Sequence, residues 1–355
     1  EQLTREREEN QAFMSSVAEG LVSLTKDEKI LYFNAQFAAQ FVSSELLKLE
    51  NGLFLKDIFR WPELVAAFKQ TLKSGQTQRL TVQLNTLLDE KARFFAISIA
   101  ALRKPKTAEI YGGIGIFHDI TELKRSEQIR IDFVGNASHE LRTPLTSLKG
   151  YVETLKEDFQ EKNFSHFENF LNILSTNVDR LIDLVNDLLT ISSLESHPDL
   201  RLELIEPLQL TENVVNEFQA LANEKKQMIQ VSGQIPAFKA DAGKIEQILR
   251  NLISNAIKYI PEYKQITILW EALPDASVVL KVKDNGPGIP KEHHDRLFER
   301  FYRIDKGRAR DAGGTGLGLS IVKHIVQSHK GQVKMFSDPE NGGGTEFICI
   351  FPRIA

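Results

Sequence analysis

The sequence predicts a multidomain α+β protein in which a pair of long helices separates two mixed α/β domains. Three observations carry this. The first third alternates in period two, at Leu80-Val82-Leu84 and Phe95-Ile97-Ile99, as half-buried strands do. From Ile120 an apolar residue recurs at alternating spacings of four and three, the signature of a helix packed along one seam. After Leu200 helical and strand patterns alternate again, which reads as an α/β sandwich.

At 355 residues, 42% hydrophobic and 26% charged, the chain has length for roughly two to four domains with real cores. Its net charge of -4 gives no overall electrostatic reason to expect nucleic acid as a partner, so any anion site must be local. The single cysteine, Cys349, excludes intrachain disulfides and cysteine-rich metal centres and fits a reducing compartment such as the cytoplasm. No apolar run approaches the roughly 20 residues a spanning helix needs. The chain opens at Glu1 without an initiator methionine, so a processed product or a piece of something longer is expected. A membrane anchor upstream of Glu1, in an inner membrane, is left open for the full-length protein.

In the front domain KILYFN and GGIGIFHD supply strands, while AQFAAQFV and PELVAAFKQTLKSG supply helices. Trp61-Pro62 is expected to begin a helix and fill a core. The long helices follow. Val134, Ser138, Leu141, Leu145, Leu148, Val152, Leu155 and Phe159 form one seam; Phe167, Leu171, Leu174, Val178, Leu181, Val185 and Leu188 form the second, after a polar connection at Glu161 to Ser165. A lone helical hairpin cannot cover both apolar faces, so a homodimer that closes an antiparallel four-helix bundle is expected. In the last third TENVVNEFQALANEKK and AGKIEQILRNLISNAIKYI read as helices, and QITILWEA, SVVLKVKDN and TEFICIF as strands.

With Ser138 in the seam, His139 takes the next heptad position and faces solvent, where an imidazole can act as a nucleophile. Glu140 can accept a proton from one ring nitrogen while the other attacks. Thr143, one turn on, faces the same way, and its hydroxyl can position a water. Pro144 removes a backbone donor and is expected to loosen or bend that turn.

Four further segments point to phosphate chemistry. NLISNAIKY puts Asn251 and Asn255 on one helix face, where amide oxygens help hold Mg²⁺, with Asn255 the first choice as metal ligand. Lys258 follows as a point charge for phosphate and Tyr259 as a ring to stack on a base. DNGPGIP places Asp284 at a strand end with a carboxylate able to accept hydrogen bonds, and Gly286 and Gly288 let a backbone approach it; alone, Asp-Asn-Gly also reads as an ordinary hairpin turn. GGTGLGLSIVKHIV opens a helix whose Gly314, Gly316 and Gly318 leave backbone amides uncovered for phosphate. FERFYRID lies between the last two, with Phe298 and Phe301 as anchors of a lid and Arg303, ahead of Arg300, as a clamp on the terminal phosphates. Residues 304 to 312 are charged and poor in apolar anchors, as a lid ordered over nucleotide would be.

FVGNASHELRTPLTSLKGYVETL resembles the phospho-acceptor box of sensor histidine kinases, and the four segments resemble the ATP-binding fold shared by histidine kinases, gyrase-type topoisomerases and Hsp90-like chaperones. The resemblance covers the chain from about Ile120 to its end. It implies that His139 is phosphorylated, that Glu140 is its acid/base partner and Thr143 a phosphatase residue. It further implies that Asn251, Asn255, Lys258, Tyr259, Asp284, Gly286, Gly288, Arg303, Gly314, Gly316, Leu317 and Gly318 serve ATP and Mg²⁺. The family often has Thr or Ser after the tyrosine; here Ile260 stands there, a departure expected to alter packing rather than phosphate chemistry. The region from Gly20 to Asp119 resembles a PAS sensor domain, whose closing strand often ends in Asp-Ile-Thr, as in HDITELKRSEQIRIDFVGNASHELRTPL, and the overall layout resembles the phosphate-regulon sensor type. The expected organisation is a helical lead-in at 1–12 and a PAS-like domain at 13–119, then a signalling helix with the dimerisation and histidine-phosphotransfer hairpin at 120–198. An ATP-binding domain at 199–355 follows.

The function these readings imply is ATP-dependent phosphorylation of His139 and transfer to an aspartate of a separate response regulator, since no receiver domain lies in the chain. Two rivals remain: an ATP-driven conformational machine, and a sensory module that is mainly a phosphatase. His118, at a strand end, reads as a surface residue rather than a haem ligand, and the His293-His294 pair as an ordinary polar helix start.

Overall fold

The computed structural model describes residues 16–43, 53–59, 61–87, 92–161, 164–196, 200–304, 314–339 and 342–353. The expected lead-in at 1–12 and the expected lid beyond Ile304 lie outside these residues. The chain divides into two compact units, Glu1–Asp132 and Phe133–Ala355.

In the first unit five strands, β1 (Gly20–Thr25), β2 (Ile30–Phe33), β3 (Gln78–Leu84), β4 (Arg93–Arg103) and β5 (Ile110–Asp119), form one antiparallel sheet in the order β2-β1-β5-β4-β3. Helices α1 (Ala35–Phe41), α2 (Leu55–Ile58) and α3 (Pro62–Ser74) interrupt it between β2 and β3. The alternation seen in sequence decides which face is inside: Val82, Leu84, Phe95, Ile97 and Ile99 are all buried. Phe37 fills the centre, its ring 5.1 Å from Phe41 and 5.2 Å from Phe117. Asn34 fixes the turn into α1, since its Oδ1 accepts from Leu21 N and Phe37 N while its Nδ2 donates to Glu19 O. Pro62 does begin α3, but Trp61 at the cap is 36% exposed and fills no core. His118 is exposed beside Glu19, with 3.1 Å between Nδ1 and Oε1.

The second unit starts within α4 (Thr121–Glu161), which runs unbroken through Pro144, and continues with α5 (Phe167–Ser196). Only part of each seam is covered. Leu141, Leu148, Leu155, Leu174, Leu181 and Leu188 are half-buried, whereas Val134, Leu145, Val152, Leu171, Val178 and Val185 are exposed. Then come β6 (Glu203–Ile205), α6 (Pro207–Glu224), β7 (Met228–Gly233), β8 (Phe238–Ala240), α7 (Ala242–Tyr259), β9 (Gln265–Ala272) and β10 (Val278–Asp284). A 3₁₀ turn (Lys291–Arg296), α8 (Gly318–Ser328), β11 (Gln332–Ser337) and β12 (Thr345–Phe351) complete the unit. The sheet order is β11-β12-β10-β9-β7, antiparallel except where β7 runs parallel to β9. Its core joins Ile245, Ile248, Leu252 and Ile253 of α7 to Trp270, Leu280 and Cys349 of the sheet. Burial pushes the Cys349 thiol up to about 12, which leaves it an inert apolar group. The strands at β6, β7, β8 and β11 were not expected. β6 and β8 are three residues each, and β7 and β11 alternate only between exposed and half-buried positions. The hairpin shares this core too: Leu184, Ile191 and Leu194 of α5 are buried in the same cluster as Ile321 and Ile325 of α8.

Candidate active site

His139 stands exposed on α4, as its heptad position requires. Thr143 is exposed one turn away, and its hydroxyl donates to His139 O at 3.3 Å. Glu140 faces elsewhere, because adjacent residues on a helix diverge by about 100°. Its Oε2 accepts from Arg180 Nη2 at 3.2 Å and lies 3.7 Å from Arg303 Nη1. The expected contact between Glu140 and the imidazole is therefore replaced here by two guanidinium groups. Sequence reasoning missed Arg180. The signal was present in the spacing of Arg180, Asp183 and Asp187, which puts three charged residues on one face of α5.

The four segments expected to serve phosphate converge at the C-terminal half of α7 and the N-terminus of α8. Asn251 Oδ1 lies 3.1 Å from where a Cβ on Gly318 would sit, so the first residue of α8 lies against Asn251, one of the two proposed metal side chains. The Nδ2 of Asn251 is buried with no partner among the described residues, and Asn255 is half-buried one turn on. Lys258 has its amine depressed to about 8, first by burial, then by the cations Arg303, Arg180 and Lys225, against the opposing pull of Asp183. Around Gly314 three groups meet: a Cβ there would lie 3.0 Å from Tyr259 Oη, 3.3 Å from Arg303 Nη2 and 3.7 Å from Lys258 Nζ. Two cations and a hydroxyl thus gather around bare backbone, a cradle whose chemistry suits an anion.

Gly316 has φ +75°, and a side chain there would press to 2.9 Å from the Phe301 backbone, so this position requires glycine. Thr315 Oγ1 accepts from Leu317 N at 3.2 Å and donates to Asp187 Oδ2 at 2.6 Å. Asp284 ends β10, with Oδ1 accepting from Gly286 N at 2.8 Å; burial raises its pKa against the pull of the Gly286 and Thr345 donors. Ile260 is buried, and its Cγ2 would lie 2.7 Å from a Cβ on Gly286. The departure at Ile260 is thus one of packing, since it fills the space that glycine leaves. Gly288 adopts φ +79° in the same turn.

Arg303 is enclosed, with its side chain 7% exposed, whereas Arg300 pairs with Glu195 and lies over the Phe133 ring. Arg303, not Arg300, reaches the cradle. Phe298 packs edge-on against Phe347, and Phe301 lies 5.8 Å from Phe133. His293 and His294 are engaged elsewhere, by Tyr302 Oη and Ile289 O, each at 2.8 Å. Among the described residues no group of three or more His, Cys, Asp or Glu side chains is arranged to hold a metal ion. A Mg²⁺ would rely on the amide oxygens of Asn251 and Asn255 and on phosphate and water, a donor set that suits it.

Comparison with known proteins agrees with this geometry. Residues 129–197 match the His Kinase A (phospho-acceptor) domain, and residues 240–355 match the histidine kinase-, DNA gyrase B- and HSP90-like ATPase family. The sensor histidine kinase WalK of Bacillus subtilis is 31% identical over 371 residues, covering 99% of this chain and 58% of that protein. The sensor protein kinase WalK of Staphylococcus epidermidis is 36% identical over 251 residues, covering 70% of this chain and 40% of its own length. The chain thus spans roughly two to three fifths of these relatives. They are WalK kinases rather than the phosphate-regulon type that the layout suggested. Among solved structures, the Acinetobacter baumannii histidine kinase AdeS aligns with a TM-score of 0.50 at 29% identity, covering 61% of this chain and 98% of that one. The histidine kinase ThkA, solved in complex with the response regulator protein TrrA, shares the fold, with a TM-score of 0.53 at 24% identity over 97% of this chain and 98% of that one.

Proposed function

The chain belongs to the sensor histidine kinases, and from that premise we propose that it phosphorylates His139 from ATP and passes the phosphoryl group to an aspartate of a separate response regulator. One observation carries the reading: an exposed imidazole and an anion cradle lie in one compact unit, tied together by the Glu140–Arg303 pair. Asp284 would accept from the adenine amino group, Tyr259 would stack on the base, and Lys258, Arg303 and the Leu317 amide would hold the phosphates. Asn255, with Asn251, would hold Mg²⁺, whose chemistry when bound is to offset phosphate charge. One ring nitrogen of His139 forms a bond to the γ-phosphorus while the bond to the bridging oxygen breaks and ADP leaves; Glu140, once it turns from Arg180 and Arg303, takes the imidazole proton.

The same reading makes the exposed stripes on α4 and α5 the closing face of a homodimeric bundle, and 13–119 a PAS-like sensor domain ahead of the hairpin at 120–198 and the ATP-binding domain at 199–355. A kinase position on the cytoplasmic side of a membrane, and a phosphatase step using Thr143 to position water, belong to the proposal. No described helix is long and apolar enough to cross a membrane.

Incubation with γ-labelled ATP tests the core claim. Acid-labile, alkali-stable label on the protein, absent in His139→Ala, is expected. Release of free phosphate with no label on the chain would instead make it an ATP-driven conformational machine.

A further inference from the structure

Besides Glu140, two further hairpin acids, Asp183 and Asp187, act on the groups around the loop before α8. Asp187 holds the hydroxyl of Thr315, the residue between Gly314 and Gly316, at 2.6 Å. That hydroxyl in turn accepts from the Leu317 amide at the start of α8. The amide is one of those an incoming phosphate needs, and here it is already satisfied. Lys258 and Arg303, which approach the same loop, also face acids of the hairpin: Asp183 and Asp187 pull on the Lys258 charge without offsetting its burial, and Glu140 lies against Arg303. Asp187 is not a loose surface acid, since it is half-buried and Leu184 and Ile191, on either side of it in α5, are locked into the core.

We propose that the hairpin carboxylates stand in for the phosphates of ATP, with Asp187 as a latch that holds the Thr315 loop against α5 and opposes nucleotide binding. The inference rests on the reading of this site as an ATP site and adds its regulation. Triphosphate and α5 compete for one loop. By linkage, a nucleotide that draws Thr315 and Arg303 away must weaken the hold of the hairpin on the catalytic fold. Glu140 then loses Arg303 and keeps only Arg180, so one of the two guanidinium groups that hold the base away from His139 is removed when ATP arrives. A signal that shifts α5 along its axis acts on the same contact from the other side.

Titration of the whole chain with adenylyl imidodiphosphate, which is not hydrolysed, and separately with adenosine tests this. In Asp187→Ala the triphosphate analogue is expected to bind roughly fivefold or more tightly, with adenosine affinity unchanged because adenosine does not reach Thr315. Asp187→Asn, which keeps the size and one acceptor oxygen without the charge, is expected to move the same way by less, and it carries the test if the alanine variant fails to fold. Asp179→Asn, the same charge change on the exposed face of α5, is expected to do nothing. Equal or weaker analogue binding in both Asp187 variants, or equal tightening in Asp179→Asn, overturns the latch. A wild-type chain that binds neither compound refutes the ATP reading itself.

Discussion

Lys258 is a single residue whose partly buried amine works against the stability of the fold. Its amine falls from 10.5 to about 8 because burial and the neighbouring Arg303, Arg180 and Lys225 all disfavour its charge. Between those two values the unfolded chain binds the extra proton and the folded chain does not. The charged amine therefore costs stability at every pH below about 8, and that cost fades as pH rises toward 10.5. Lys258→Met keeps the stem and removes the charge, so it is expected to stabilise the nucleotide-free chain near pH 7. The gain should be on the order of 1–2 kcal/mol once solvent screening is allowed for, while triphosphate binding is lost. Thermal denaturation with and without an ATP analogue checks both halves, and a lower Tm for the variant would refute the argument. Sequence could propose Lys258 as a phosphate ligand from its place on the helix, but could not show the cations Arg303, Arg180 and Lys225 around it.

At the scale of elements, α7 and α8 were both legible because each carries a strong 3.6-residue pattern and an end signal. Asp241 caps α7 by accepting from Lys244 N. How the two helices are tied was not legible. His329, just past α8, accepts from Asp241 N at 3.2 Å through Nε2 and bonds Ile325 O at 2.9 Å through Nδ1, which fixes the neutral tautomer. Burial lowers its pKa below 6.5, against the opposing pull of the Ile325 carbonyl and Asp241. A histidine with a depressed folded pKa contributes its full share above the unfolded value and loses it as pH falls through 6.5 and below. His329→Gln should thus lower Tm at pH 7.5, yet show a shallower fall of Tm between pH 7 and 5 than the wild type. Parallel acid slopes in the two proteins would assign the acid sensitivity to other groups.

At the scale of the whole molecule the hairpin presents an exposed apolar stripe. Val152 and Val178 are each more than 40% exposed, one on each helix, at heptad positions of the kind that pack against a further helix. A second copy of the hairpin would bury these positions, and burying one such side chain stabilises by about 1.5–3 kcal/mol. Val152→Glu combined with Val178→Glu is expected to turn a dimer into a monomer in sedimentation equilibrium, with the nucleotide site intact. A variant that still sediments as a dimer would place the interface elsewhere.

The sequence by itself determined the α+β class, the two seamed helices, the α7 and α8 helices and nearly all the residues around the cradle, because periodicity, caps and glycine-rich turns are local properties of a chain. It also fixed that His139 faces water, since a heptad position is a direction. Tertiary structure decided what Glu140 does while it waits. Its partners Arg180 and Arg303, and the Asp187–Thr315 contact across 128 positions, exist only where the chain has brought distant charges into one partly dry space. There, unlike in water, the pairing of each charge depends on which neighbours the fold supplies.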